Sequence, residues 1–149
     1  MSRVVSGARS LESPLEASVV TAGVFDGVHR GHHALIRRAV EFARDHRIPS
    51  VAYTFDPHPA KLLAPAMAPR MLMSVDERAR MLHSLGIDLV VVEPFDHAFS
   101  ELSADEWIAD CLLPPLRPRH VVVGYNFTYG KARAGHVEHL RRAGEHFGF

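Results

Sequence analysis

Short runs of apolar, β-branched residues alternate along the chain with longer stretches in which apolar residues recur every three or four positions. The short runs are typical of buried strands, and the longer stretches are typical of amphipathic helices. The pattern predicts core strands at residues 19–25, 50–55, 87–92 and 120–124, with a short edge strand at 3–5. It predicts helices at residues 31–46, 75–85, 104–113 and 135–147. This alternation predicts an α/β fold with a doubly wound parallel sheet.

Local signals mark where several of these elements begin and end. Serine followed three residues later by glutamate, the spacing of a capping box, occurs at residues 74–77 and 103–106. Gly86 suits the left-handed cap after the second helix, whereas Pro114-Pro115 is predicted to end the third helix. Residues 56–69 hold four prolines and are expected to form an irregular, stiff loop, followed by a short extended piece at 71–73. Residues 148–149 look like the start of a further strand.

The segment 19–34, VVTAGVFDGVHRGHHA, joins the first core strand to the first helix through a turn rich in glycine. This arrangement is typical of phosphate binding, because the first helical turn offers free N–H groups and a partial positive charge. His29 and His32 lie three residues apart, so both imidazoles can face one phosphate, and Gly31 lets the phosphate approach the backbone. The alternatives are two solvated histidines, or a zinc site that includes His33 and lacks an obvious further ligand.

Candidate ligand contacts also follow the first two core strands. Asp26, in the first turn, could orient a metal or a ribose, although closing an Asx turn is its favoured role. After the second strand, Phe55, Asp56 and His58 could contact a ligand. A rigid proline loop with a buried phenylalanine explains these residues equally well.

The loop after the fourth core strand, GYNFTYG at residues 124–130, brackets three aromatic side chains and Asn126 with two glycines. Aromatic rings suit a flat ligand, and Asn offers both a donor and an acceptor. Lys131 and Arg133 follow and could contact phosphate; alternatively, the aromatic side chains fold back on the core. Since each of these motifs follows a strand, we expect all of them to face one crevice.

Composition narrows the possible partners and location. A length of 149 residues predicts one domain. Lys and Arg total 17, as do Asp and Glu, which argues against nucleic acid or a membrane surface as a partner. Cys111 is the one cysteine, so the chain can form neither an internal disulfide nor a cysteine zinc site. With no apolar run near the ~20 residues of a membrane span and no convincing signal peptide, the cytoplasm is the expected location.

Four segments of the chain resemble one enzyme family. His29-Arg30-Gly31-His32 is similar to the HxGH signature of the nucleotidyltransferase superfamily, whose fold is Rossmann-like. More narrowly, GVFDGVHRGHHALI, TFDPHP, FDHAFSELSADEWI and VVVGYNFTYGKARAG together resemble the FMN adenylyltransferase module of bacterial bifunctional FAD synthetases. The likeness runs from about Thr21 to the end of the chain. It implies that ATP, with Mg²⁺, and FMN react to give FAD and pyrophosphate.

The resemblance also implies roles for individual residues. His29 and His32 would hold the ATP phosphates and stabilise the transition state. The nucleotide pocket would be shaped by Gly23, Phe25, Asp26 and Gly31. The flavin side would be formed by Phe55, Asp56, His58, Pro59, Asn126 and Tyr129. No metal ligands within the protein are expected.

The family's second signature, an ISSTxIR-like segment that contributes phosphate-binding Ser, Thr and Arg, is absent from this sequence, as is a riboflavin kinase module. We therefore expect residues 1–149 to be a single nucleotidyltransferase-like domain, truncated before its last strand, as a fragment or a shortened paralogue. A second domain or chain could complete the site. The alternative functions are a flavin- or nucleotide-binding module with little turnover and a related transferase that uses another acceptor.

Overall fold

A parallel sheet forms the centre of the protein. The computed structural model describes residues 3–27 and 30–149. The sheet has five strands, β1 (Arg3–Ser6), β2 (Ser18–Ala22), β3 (Ser50–Asp56), β4 (Leu89–Pro94) and β5 (Pro118–Val122). Their order across the sheet is β1-β4-β3-β2-β5, and every neighbouring pair is parallel. The chain thus winds from β2 through β3 to β4 and then returns to place β5 on the other side of β2.

Helices cover both faces of the sheet. They are α1 (Arg30–His46), α2 (Pro59–Leu63), α3 (Val75–Ser84), α4 (His97–Ser100), α5 (Ala104–Glu106), α6 (Leu113–Leu116) and α7 (Val137–Phe147). A π-helical stretch, Trp107–Leu112, joins α5 to α6. Two short strands, β6 (Thr128–Tyr129) and β7 (Gly135–His136), form an antiparallel pair beside the main sheet.

The two faces of the sheet bury different side chains, because successive residues of a strand point to opposite sides. From β3, Tyr53 and Phe55 pack with the helical segment 104–116 and with α7. Ala52, which directly precedes Tyr53, packs with α1 and α3 on the other face. Burial on both faces explains why β3 reads as a nearly continuous apolar run.

The predicted doubly wound α/β fold is confirmed, and the strand boundaries differ by one to three residues. β2 ends at Ala22 instead of residue 25, because Phe25 adopts a left-handed backbone with a φ of 57°. β4 begins at Leu89, two residues later than predicted. The residues before it serve as connectors: the Ile87 N–H donates to Leu82 O, and the Asp88 carboxylate accepts from the Ser50 N–H. The edge strand expected at residues 3–5 is β1.

The prediction that Pro114-Pro115 ends a helix is wrong, since the helical segment continues through α6 to Leu116. Both prolines lie in the first turn of α6, directly after the π-helical stretch, where a missing N–H costs little. Arg117, in the left-handed conformation, then ends the segment. The capping box predicted at Ser103 is present in full, with both reciprocal hydrogen bonds.

The loops also hold more structure than predicted. Residues 56–69 contain α2 and a 3₁₀ turn rather than only irregular chain, because His58 caps α2 and proline occupies its first turn. Residues 71–73 form no strand. The last helix begins at Val137, since Gly135 pairs with Tyr129 and His136 is the N-cap. Gly148 is the left-handed C-cap of α7 and does not start a strand.

Within the described ranges 3–27 and 30–149, none of the helices combines the length and the apolar character required to cross a bilayer.

Candidate active site

A cavity of about 510 Å³ opens at the carboxyl ends of the strands, a volume within the usual range for small-molecule sites. It receives residues from the turn after β2, from the ends of β3 and β4, from the start of the π-helical stretch and from the loop after β5. It is lined by Gly23, Val24, Phe55, His58, Pro59, Ala60, Leu63, Ala64, Phe95, Phe99, Trp107, Asn126, Phe127, Thr128, Tyr129, Gly130 and Arg133. Chain segments far apart in sequence therefore form a single pocket at the sheet edge where doubly wound folds bind ligands.

Aromatic side chains make up much of the cavity wall, and they pack on one another. The ring centroids of Phe95 and Phe99 are 5.5 Å apart in an edge-to-face arrangement. Those of Trp107 and Tyr129 are 4.9 Å apart, and Phe127 stacks on Tyr129 at 5.7 Å. Because each ring supports its neighbours, the wall is a firm apolar surface suited to a flat, extended ring system.

Tyr129 is held both through its ring and through its hydroxyl. A Cβ atom added to Gly135 would lie 2.4 to 2.6 Å from the Tyr129 ring, so only glycine leaves room for the ring there. The Tyr129 hydroxyl donates to His139 Nδ1, and His139 Nε2 lies 2.9 Å from Asp105 Oδ1. Since a carboxylate only accepts, the neutral His139 carries its proton on Nε2. Burial raises the pKa of Tyr129 well above its usual value, with Asp105 adding to the effect, so the hydroxyl stays protonated.

His58 lies at the mouth of the cavity with a defined orientation. Its Nδ1 atom accepts the Ala60 N–H at 3.0 Å and so caps α2. The neutral ring therefore presents Nε2–H as a donor. Burial lowers the pKa of His58, and nearby Arg78 lowers it further, while Asp26 acts in the opposite direction. The neutral donor form is thus the favoured one.

Polar groups from the loop after β5 complete the rim. Asn126 is exposed, and its Oδ1 atom would lie 3.3 Å from a Cβ atom added to Gly124. Arg133 is exposed, and its Nε donates to Thr128 Oγ1 at 3.2 Å. The Lys131 ammonium is paired with Glu101 at 2.8 Å. Arg133 therefore brings a positive charge to the rim of an otherwise aromatic pocket.

The first part of the turn after β2 lies at this cavity, since Gly23 and Val24 line it. Phe25 is buried under Gly23, and its ring centroid is 5.4 Å from that of His32, with the rings nearly perpendicular. The Asp26 carboxylate accepts from the N–H groups of Leu72 and Met73 at 2.9 to 3.0 Å, which ties the turn to the segment before α3. The Asx turn predicted for Asp26 would involve residue 28, which lies outside the described residues.

Twelve residues are predicted to bind the nucleotide or the flavin when His29 and His32 are included, and six of them line the cavity. Those that line it are Gly23, Phe55, His58, Pro59, Asn126 and Tyr129. Outside the lining are Phe25, Asp26, Gly31, His32 and Asp56. His29 is not among the described residues. Asp56 follows Phe55 in β3, so its exposed side chain leaves the strand on the opposite face from the aromatic wall.

Sequence reasoning missed Trp107, Phe95 and Leu63, which line the cavity, and Arg78, which supports it. A sequence signal existed for Trp107, because this large aromatic residue directly follows the capping box at 103–106, near the start of a predicted helix. For Arg78 the signal was a charged residue next to Ala79 on the buried side of α3. In the described parts of the chain, His, Cys, Asp and Glu form no group of three or more that could hold a metal ion.

Comparisons with known proteins agree with the architecture. Residues 11–149 match the family described as FAD synthetase. The bifunctional riboflavin kinase/FMN adenylyltransferase of Escherichia coli K12 is 37% identical over 148 residues, which cover 99% of this chain and 47% of that protein. The protein of the same name from Pseudomonas fluorescens is 34% identical over 147 residues, 99% of this chain and 47% of its own length. The chain thus spans about half the length of these relatives.

A solved structure has the same fold. It is a crystal structure described as a macrolide-efflux protein from Streptococcus pneumoniae, with a TM-score of 0.77 and 27% sequence identity. The match covers 95% of this chain and 47% of the other. With the family match over nearly its whole length, this chain belongs to the FAD synthetase family.

Proposed function

We propose that this protein transfers the adenylyl group of ATP to FMN, giving FAD and pyrophosphate. One observation carries the proposal: in a member of the FAD synthetase family, a cavity of about 510 Å³ with aromatic walls is lined by Gly23 and Val24 of the turn after β2. A flat ring system fits the aromatic wall, and the helix start suits phosphates. The two substrates would therefore bind at adjacent places in one crevice.

On the flavin side, the isoalloxazine ring would lie against Trp107, Tyr129 and the phenylalanines of the wall. His58 Nε2–H and the Asn126 carboxamide would supply hydrogen bonds at the ring's polar edge, and Arg133 would attract the FMN phosphate. Phe55 and Pro59 would close the wall beside α2. Asp56, whose side chain leaves the other face of β3, would act only through the backbone.

On the nucleotide side, the first turn of α1 would bind the ATP phosphates through free N–H groups. Gly31, which is exposed and has no side chain, would allow close approach of a phosphate. An oxygen of the FMN phosphate attacks the α-phosphorus in line, a new P–O bond forms, and the bond to pyrophosphate breaks. His29 and His32 would stabilise the negative charge that develops on these oxygens.

Magnesium enters this proposal only as the partner of the ATP phosphates, as part of the substrate. We also propose that residues 1–149 act as one nucleotidyltransferase-like domain. The relatives named above are bifunctional with a riboflavin kinase, which supports the idea that a second domain or chain contributes to the complete site. The cytoplasmic location expected from the sequence stays a prediction.

The test is to incubate the protein with ATP, Mg²⁺ and FMN and to separate the flavins by chromatography, while pyrophosphate is measured in parallel. FAD and pyrophosphate should form in equal amounts, and His32→Gln should lower the rate much more than it lowers FMN affinity. His33→Gln, which changes the neighbouring histidine on α1, is the matched control and should behave like the wild type. FMN binding without any FAD would overturn the proposal in favour of a flavin-binding module.

A further inference from the structure

Arg78 is a buried cation outside the cavity, and it donates hydrogen bonds to two backbone carbonyls and one threonine hydroxyl. The residue lies on α3 with 1% of its surface exposed. Arginine is rarely buried to this extent, because removing a charge from water is costly unless hydrogen bonds replace the water. Its Nη1 group donates to Val24 O at 3.1 Å, to Thr54 Oγ1 at 2.9 Å and to Phe55 O at 2.9 Å.

These three acceptors belong to the two chain segments that meet at the candidate active site. Val24 lies in the turn after β2, on the nucleotide side, whereas Thr54 and Phe55 lie at the end of β3, on the flavin side. The Thr54 hydroxyl also donates to Val24 O, at 2.7 Å. Arg78 and Thr54 therefore join the two sides of the site through one shared carbonyl oxygen.

The Val24 carbonyl belongs to the peptide group that directly precedes Phe25. Phe25 has a φ of 57°, a left-handed conformation that residues other than glycine rarely adopt. Two donors on Val24 O hold that peptide plane and so maintain the conformation. The conformation in turn places the buried Phe25 ring 5.4 Å from the His32 ring.

We propose that Arg78 is a positioning residue for adenylyl transfer: it orients the Val24–Phe25 peptide and, through the Phe25 ring, the His32 imidazole. The inference rests on the proposed function. Arg78 does not line the cavity, so its loss should affect the arrangement of the reacting groups more than the binding of flavin. Burial lowers the pKa of Arg78, and the nearby carboxylates of Asp56 and Asp26 oppose that effect.

The test uses Arg78→Met, which keeps the length of the side chain and removes its donors, and Arg78→Lys, which keeps a donor. Arg80→Met, on an exposed position of the same helix, is the matched control. We expect Arg78→Met to lower kcat for FAD formation about tenfold or more, because small misplacements of a catalytic group are costly. FMN affinity, measured by fluorescence quenching, should change less than threefold, and Arg78→Lys should recover part of kcat.

A second readout does not require turnover. The ring signals of His32 in a ¹³C NMR spectrum, assigned by their loss in His32→Gln, should shift in Arg78→Met and stay in place in Arg80→Met. If Arg78→Met fails to fold, Thr54→Val, which removes the other donor to Val24 O, should move the same signals. Unchanged His32 signals together with unchanged kcat would overturn the inference. A wild-type protein that makes no FAD, but whose His32 signals respond to Arg78→Met, would overturn the proposed function alone.

Discussion

Replacing Gly130 by alanine should destabilise the protein and damage the candidate flavin cavity at the same time. Gly130 lines the cavity and has a φ of +79°, a conformation that costs an alanine about 1–2 kcal/mol. An added Cβ would also lie 2.5 Å from Ala104 N and 2.6 Å from Ala104 Cα. These are backbone atoms in the first turn of α5, held by the capping box of Ser103, so they cannot move aside without loss of that cap.

The size of the effect follows from these two contributions. Overpacking of this kind typically costs about 1–3 kcal/mol. Added to the backbone cost, it gives a loss of roughly 2–5 kcal/mol, or a fall in Tm of roughly 10 °C for a domain of this size. Gly148→Ala is the matched control, since Gly148 has a φ of +87° and no atom within 4 Å of an added Cβ. It should lose only the backbone contribution.

Urea unfolding followed by circular dichroism measures both variants, and fluorescence quenching measures FMN binding. Gly130→Ala should have the lower midpoint at an unchanged m-value, and it should also bind FMN more weakly than Gly148→Ala does. Equal midpoints for the two variants would refute the reasoning, because the contact with Ala104 would then contribute nothing.

Three further predictions follow from other residues. Asn126→Ala should weaken FMN binding at least several-fold and leave ATP binding nearly intact, as measured by calorimetry; equal loss of both would contradict its place on the flavin side. Burial lowers the pKa of His58, so the folded state favours the neutral ring and the stability of the protein should fall as the pH drops below about 6.5. In thermal melts, His58→Asn, which can still cap α2, should show a flatter dependence of stability on pH between about pH 5 and 7. Parallel curves for the variant and the wild type would exclude His58 as a cause. Burial raises the pKa of the Cys111 thiol to about 11. A thiol reagent at pH 8 should therefore modify the native protein very slowly and the urea-unfolded protein at once. Rapid modification of the native protein would refute the burial of Cys111.

The sequence alone determined those features that depend on near neighbours. The runs of β-branched residues marked the core strands, and the serine at position 103 marked the start of α5, because strand burial and helix capping act over a few residues. The glycine turn before α1 was recognised for the same reason. Motif resemblance extended this local reading to a family, which the comparison over residues 11–149 confirmed.

Only the tertiary structure decided which distant residues meet. Trp107 and Phe95 lie in different segments from Phe55 and Asn126, and nothing local shows that they form one cavity. Arg78 is 54 positions from Val24, yet its buried guanidinium holds that carbonyl. Such contacts depend on the order of the strands across the sheet, which long-range packing and hydrogen bonding select. The sequence therefore predicted the core strands, the longer helices and the motif at the turn. The fold determined the shape of the cavity and the contact of Arg78 with the turn after β2.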